Sequence, residues 1–383
     1  MEIIKKKIGI IGGGQLGKMM ILAAKYMGFH TTVLDPAADC PCHSISDAHI
    51  VADITDTVAI RRLSEETDVM TYEWEHTDAK FLAILEAEGA TIYPAAESLI
   101  VINDKYTQKK RLQENGVVVP DFVEVSGIQD IHVTLEKYGR LVLKARKGGY
   151  DGKGNAFVLS PADVDGAYAA LGSGKIPLMA ERYTDFVKEF SVLACRDMNG
   201  EFAVYPIAEN KHENNILVTT TVPAVISEKT AQAAMEMARK VLDVFKGVGM
   251  FGIEMFAMPD GSVMYNEVAP RPHNSGHYTI EACVTSQFEN HIRAITGLPL
   301  GDTTLLRPVC MRNLLGGDTP GKTVITGIDE ALAIPGVKAH IYGKSESMPR
   351  RKMGHITVTA DTVEEAERLA DKAFSVLSIN GVK

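Results

Sequence analysis

The stretch Val248-Gly249-Met250-Phe251-Gly252-Ile253-Glu254-Met255-Phe256-Ala257-Met258-Pro259-Asp260-Gly261-Ser262-Val263-Met264-Tyr265-Asn266-Glu267-Val268-Ala269 reads as two apolar strands, Val248 to Met258 and Ser262 to Ala269, around an Asp260-Gly261 turn. A two-residue type I′ turn sets Pro259 against Ser262, and counting back along the ladder places Glu254 directly opposite Glu267. Like charges facing each other across neighbouring strands repel, so the pair calls for a neutralising partner. A divalent cation shared between carboxylates and nucleotide phosphates is such a partner. A solvated sheet face would also tolerate two acids. The apolar content of both strands argues instead for a central sheet, and Asn266 adds a neutral oxygen beside the pair. Downstream runs Pro270-Arg271-Pro272-His273-Asn274-Ser275-Gly276-His277. If the extended strand continues, Glu267, Ala269, Arg271 and His273 share a side, which aims a guanidinium and an imidazole just beyond the cation. Arginine is the preferred clamp for a planar oxyanion.

Two glycine loops lie upstream. Lys144 ends the strand Leu141-Val142-Leu143 and precedes Gly148-Gly149-Tyr150-Asp151-Gly152-Lys153-Gly154, with four glycines in seven residues. Such a loop frees backbone N–H groups to wrap polyphosphate, while Lys144 and Lys153 offset its charge. It lacks the G-x-x-x-x-G-K-[ST] spacing of a Walker A loop, and a hairpin with solvated lysines is the plain alternative. The first loop, Gly12-Gly13-Gly14-Gln15-Leu16-Gly17, fits G-x-G-x-x-G between a strand, Ile8 to Ile11, and a helix, Leu16 to Met27. A second strand, Thr31 to Asp35, ends on an acid, so this βαβ unit alone allows an NAD site with Asp35 on a ribose. A tight strand-to-helix connection would look the same.

Around these motifs the chain alternates. Val69 to Tyr72, a helix over Asp78 to Glu88 and Thr91-Ile92-Tyr93 extend the first unit into an open parallel sheet. A charged helix ending at Asn115-Gly116 opens an α+β region. It has strands over Pro177 to Tyr183, Glu189 to Arg196, Glu201 to Ala208 and Ile216 to Val222, and a helix over Glu228 to Phe245. The last eighty or so residues read as small strands plus a helix over Val363 to Leu377. A length of 383 residues fits two or three domains. The net charge of −9 argues against binding nucleic acid or anionic membrane through overall charge. Five cysteines without a C-x-x-C pair suit a reducing compartment, and no apolar run reaches the length of a membrane span.

In combination, Lys144, the loop Gly148 to Gly154, Glu181, Glu189, Glu254, Glu267 and the run Asn266 to His277 resemble the ATP-grasp ligases. The chain is more closely similar to the N5-carboxyaminoimidazole ribonucleotide synthetase family, the ATP-dependent carboxylases of bacterial purine biosynthesis. Ile10 to Gly17, Thr71-Tyr72-Glu73-Trp74-Glu75 and Arg351-Lys352-Met353-Gly354-His355 also match. The resemblance implies an ATP-grasp fold of mixed α/β and α+β type. Its parts are a Rossmann-like domain over 1–103, an ATP-grasp domain over 104–300 with a lid at 148–154, and a C-terminal domain over 301–383. It also implies a cytoplasmic homodimer that uses ATP, bicarbonate and 5-aminoimidazole ribonucleotide with Mg²⁺, and no nucleic-acid or membrane partner.

Residue by residue, the resemblance implies that Lys105 and Lys144 contact ATP phosphates. Gly148, Gly149, Tyr150, Asp151, Gly152, Lys153 and Gly154 would close over them. Glu181, Arg182, Tyr183 and Thr184 would run beside adenine, Glu189 would hold the ribose, and His212 and Asn266 would lie beside the nucleotide. Lys105 stands where relatives can carry arginine. Glu254 and Glu267 correspond to Mg²⁺ ligands, and Arg271, His273 and Asn274 to the bicarbonate site. Gly14, Gln15, Leu16, Glu73, Tyr150, Asp151, Lys344, Arg351 and Lys352 would take the ribotide. Two rivals stand beside this reading: the formate-dependent glycinamide ribonucleotide transformylases, against which Asn274-Ser275-Gly276-His277 argues, and an NAD-dependent dehydrogenase built on the first loop.

Overall fold

The computed structural model of the chain describes residues 5–149 and 154–382. The expected loop residues Tyr150, Asp151, Gly152 and Lys153 lie outside them. At the N-terminal end, four parallel strands stand in the order Ala48–Val51, His30–Asp35, Lys7–Ile11, Val69–Tyr72. The residues of the last three are almost all buried, because helices cover both faces of a parallel sheet, whereas the edge strand Ala48–Val51 is largely not. The expected strand at Thr91 to Tyr93 makes only a single bridge, Met70 to Ile92. The strand Ala48–Val51 and the helix Thr57–Glu66, capped by Asp56, complete the unit.

A second sheet of four antiparallel strands runs Phe122–Val125, Leu178–Arg182, Leu141–Ala145, Asn155–Val158. In Leu141–Ala145 the alternation sends Leu141, Leu143 and Ala145 into a core beneath the helix Ile128–Tyr138. Val142 and Lys144 are thereby left on the opposite, cavity face.

The largest sheet has nine strands. Its main path is Val263–Ala269, Gly249–Ala257, Lys188–Arg196, Ala208–Glu213, Ile216–Val222, Val309–Leu315, Lys352–Thr359, Val337–Ile341, and Phe202–Val204 pairs beside Lys188–Arg196. The expected single strand from Glu201 to Ala208 is therefore two pieces in different places. The helix Glu228–Phe245 packs its apolar stripe, including Ala238, Val241 and Leu242, against one face. The sheet does not stop near residue 300: Thr219 to Val222 pair antiparallel with Val309 to Arg312, so the C-terminal part of the chain continues it. Among the described residues no helix is long and apolar enough to cross a membrane.

The late hairpin differs instructively from expectation. Its turn has three residues, Pro259 to Gly261, with Met258 and Ser262 closing the ladder and Gly261 at φ +81°. That connection alone would bring Glu254 opposite Asn266. A bulge at Asn266 inserts one extra residue, so the ladder runs Met255 to Tyr265 and then Glu254 to Glu267. The expected pairing of the glutamates is found, reached by two offsets that cancel. The bulge also turns Asn266 and Glu267, consecutive residues, toward the same cavity.

Candidate active site

The two antiparallel sheets face each other across a cavity of about 450 Å³. From the small sheet it takes Lys144, Glu181, Arg182 and, just beyond the strand end, Tyr183 and Thr184. From the large sheet come Glu189, His212, Glu254, Asn266 and Glu267, followed by Arg271, His273 and Asn274. The N-terminal unit contributes Gln15, Leu16 and Glu73, the helix Lys105–Glu114 contributes Lys105, and the C-terminal part contributes Lys352. Gly149 lines the wall as well, whereas Gly14, Gly148, Gly154, Lys344 and Arg351 do not.

Carboxylates and ammonium groups interleave along the floor. Lys144 reaches diagonally across its strand pair to Glu181 at 2.7 Å. Lys109 approaches the other oxygen of Glu181 at 3.3 Å, and Lys105 contacts Glu267. Burial alone would raise the pKa values of Glu181 and Glu267, but the neighbouring lysines outweigh it and hold both below the usual range. Glu254 is different. Burial pushes it up to about 7, with the charges of Glu189 and Glu267 adding to the rise and His212 opposing it. His212 itself pairs with Glu189 at 2.9 Å, and that contact raises its pKa despite burial.

This wall suits a hard divalent cation. Glu254, Glu267 and the Asn266 amide present oxygen donors on one surface, with Glu254 directly opposite Glu267 across the strand pair. Among the described residues no three or more His, Cys, Asp or Glu side chains form a closed cage. A magnesium ion is usually held by one or two carboxylates with phosphate oxygens and water completing its shell, so Glu254 and Glu267 are the side chains of this wall that could hold one.

Beyond the acids, Arg271 ion-pairs with Glu75 at 2.7 Å, yet its Nε is buried without a hydrogen-bond partner among the described residues. His273 is held from three sides. Gln287 accepts from its backbone N–H at 2.9 Å and donates to its carbonyl at 2.7 Å, and the ring Nδ1 lies 2.8 Å from Ser275 Oγ. Burial, then the charge of Arg271, keep this imidazole neutral. Asn274 exchanges two amide hydrogen bonds with Asn313, at 3.0 and 2.7 Å, which ties the loop to the strand Val309–Leu315.

The first glycine loop is partly occupied by protein groups. Asp35 accepts from the amides of Gly13 at 2.8 Å and Ala37 at 2.9 Å, so its carboxylate is spent on the backbone and not held out for a ribose. Glu73 accepts from the Gly17 amide, and a Cβ at Gly14 would lie 2.1 Å from Glu73 Oε1. The glycines thus admit a buried carboxylate, which burial raises to about 7. On the C-terminal side, Lys344 donates to the Lys352 carbonyl at 2.7 Å, while the exposed Arg351 bonds the Glu346 carbonyl at 2.9 Å, away from the cavity. Sequence reading passed over Lys109, although its i+4 spacing from Lys105 puts both on one helix face. It also passed over the aromatic wall of Phe157, Phe186 and Phe256.

Known proteins align with this arrangement throughout. Residues 5–103 match the ribonucleotide synthetase preATP-grasp domain, 110–288 the ATP-grasp domain, and 309–369 the phosphoribosylaminoimidazole carboxylase C-terminal domain. The N5-carboxyaminoimidazole ribonucleotide synthase of Bacillus subtilis (strain 168) is 43% identical over 360 residues, 94% of this chain and 92% of its own. The chain belongs to the N5-carboxyaminoimidazole ribonucleotide synthase family. It is an ATP-grasp ligase. The crystal structure of the Thermotoga maritima synthetase superposes with a TM-score of 0.90 at 44% identity, covering 98% of this chain and 100% of that one. The Aspergillus clavatus synthase in complex with ADP and 5-aminoimidazole ribonucleotide superposes with a TM-score of 0.90 at 35% identity, covering 97% and 98%.

Proposed function

We propose that this synthase-family member joins bicarbonate to the exocyclic amine of 5-aminoimidazole ribonucleotide at the expense of ATP, releasing ADP and phosphate. The observation that carries the site assignment is the cavity wall on which Glu254, Asn266 and Glu267 stand beside Arg271 and His273. Bicarbonate is a poor electrophile. Transfer of the γ-phosphoryl group to one of its oxygens forms carboxyphosphate and ADP. Attack by the amine on the carboxyl carbon, or on CO₂ released from it, then expels phosphate. Neither step needs a covalent protein nucleophile, so the chain's part is positioning and charge stabilisation.

Lys105 and Lys144 would meet the phosphates, and the loop from Gly148 to Gly154 would cover them. The segment from Glu181 to Thr184 would run along the adenine, with Glu189 and His212 at the ribose. Glu254 and Glu267, aided by Asn266, would hold Mg²⁺, which when bound spreads the developing phosphate charge. The orphan Nε of Arg271 is a donor suited to bicarbonate, and the neutral His273 can hydrogen-bond it. Gln15, Leu16, Glu73 and Lys352 would bound the ribotide, which supports placing that substrate between the first and last parts of the chain.

ADP release that requires bicarbonate and the ribotide together tests the reaction. Release with formate and glycinamide ribonucleotide instead would favour the transformylase, and tight binding of NAD would favour the dehydrogenase.

A further inference from the structure

Lys109 is only 1% exposed. Removing an ammonium from water is expensive, so a lysine in this position must be held by strong partners. Its Nζ donates to the backbone carbonyl of Asn266 at 2.7 Å, lies 3.3 Å from Glu181 Oε1, and stands 5.2 Å from the centroid of the Tyr265 ring. Each partner has a definite place in the cavity. Glu181 gives its other oxygen to Lys144 at 2.7 Å. Asn266 is the extra residue of the bulge and has no opposite number in the ladder, so its carbonyl needs a donor from outside the sheet. The same helix supplies the next link, because Lys105, four residues earlier, contacts Glu267. A continuous chain results: Lys144, Glu181, Lys109, the Asn266 carbonyl, Glu267, Lys105.

We propose that Lys109 is a positioning residue for nucleotide use. Its ammonium ties the bulge carrying Glu267 to the carboxylate that aims Lys144, and so sets the spacing between the cation-holding wall of the large sheet and the phosphate-facing lysine of the small one. It touches neither phosphate nor cation. The inference rests on the nucleotide assignments made above.

The test uses the full-length protein and two variants, Lys109→Met and the double change Lys109→Met with Glu181→Gln. Affinity for Mg²⁺-ADP is read by calorimetry, independently of turnover, beside the Michaelis constants for Mg²⁺-ATP and ribotide and the melting temperature. Loss of charge-assisted contacts should weaken Mg²⁺-ADP binding and raise the Mg²⁺-ATP constant by about ten- to a hundredfold, leaving the ribotide constant unchanged. The double variant, which no longer buries an under-compensated carboxylate, should regain the melting temperature of the parent without regaining nucleotide affinity. Parental Mg²⁺-ADP affinity in Lys109→Met overturns the proposal, as does recovery of affinity together with stability in the double variant, which would make Lys109 a mere counter-charge for Glu181. A parent that binds Mg²⁺-ADP but fails to carboxylate the ribotide would overturn the reaction instead, and the binding comparison would still decide the role of Lys109.

Discussion

Replacing Gly252 by alanine puts a single methyl group against the residue proposed to meet bicarbonate. Gly252 lies mid-strand, paired with Leu193 on one side and Ala269 on the other, so its backbone has little freedom to move. A Cβ built there falls 2.4 Å from His273 Cβ and 2.7 Å from its Cγ. Carbon atoms pack at roughly 3.5 to 4.0 Å, which requires a displacement of about 1 Å or more. His273 cannot give that much without breaking the two Gln287 hydrogen bonds or leaving Ser275. Overpacking of this kind destabilises by about 1 to 3 kcal/mol. A displacement of about 1 Å in a positioning group lowers turnover by on the order of a hundredfold. The assay is ADP release at saturating ATP and ribotide with bicarbonate varied, alongside Mg²⁺-ADP affinity and a melting curve. We expect turnover to fall by far more than Mg²⁺-ADP affinity, because the atoms nearest the added methyl group all belong to His273. A folded Gly252→Ala protein with parental bicarbonate-dependent turnover would refute the role given to the His273 position.

Three further outcomes are expected. Glu267→Gln keeps the side chain's shape while removing a charge that faces Glu254 and pairs with Lys105, and should need much more Mg²⁺ for half-maximal turnover; an unchanged Mg²⁺ titration would remove Glu267 from the cation site. Lys352→Met should raise the ribotide Michaelis constant by about ten- to a hundredfold, the worth of one charge-assisted phosphate contact, and leave that for ATP alone. Glu73, raised by burial from 4.5 to about 7, favours the protonated form in the fold. Its contribution is therefore complete below about pH 4.5 and is lost as pH rises through about 7, a change of about 3 kcal/mol. Urea unfolding across that range should show a shallower decline for Glu73→Gln than for the parent, and equal slopes would count against a buried acid there.

The elements most visible in the sequence were those with a clean period or clean punctuation. The helix Glu228–Phe245 has the expected limits, and three of the four parallel strands announced themselves as short runs ending in clear punctuation, while the edge strand Ala48–Val51 did not. The strand Ala208–Glu213 did not, because Ala-Glu-Asn-Lys-His-Glu has neither β-branched residues nor alternation, yet it carries His212 to Glu189. Its strand character comes from its neighbours on both sides, a tertiary effect that local propensity does not report. The Glu254 and Glu267 pairing was legible, but the bulge that makes it true was not, since nothing in Tyr265-Asn266-Glu267 advertises an extra residue. Lys109 was hidden for a similar reason: within Lys105-Tyr106-Thr107-Gln108-Lys109-Lys110-Arg111 it looks like one more solvated cation, and only the packing distinguishes it from Lys110. Asp35 shows the converse, a residue whose motif position suggested a ligand and whose carboxylate instead fastens the backbone.

The large sheet's passage across residue 300 has a consequence for anyone wishing to dissect the enzyme. A chain cut there would strip Thr219 to Val222 of their partners on one side and leave a raw central edge, an invitation to strand exchange between molecules. It would also take from Asn274 the two amide hydrogen bonds it exchanges with Asn313. The nucleotide-handling half is therefore not a portable module. To restore it, a separately supplied C-terminal fragment would have to dock by strand complementation, sliding Val309–Leu315 back into the vacant lane.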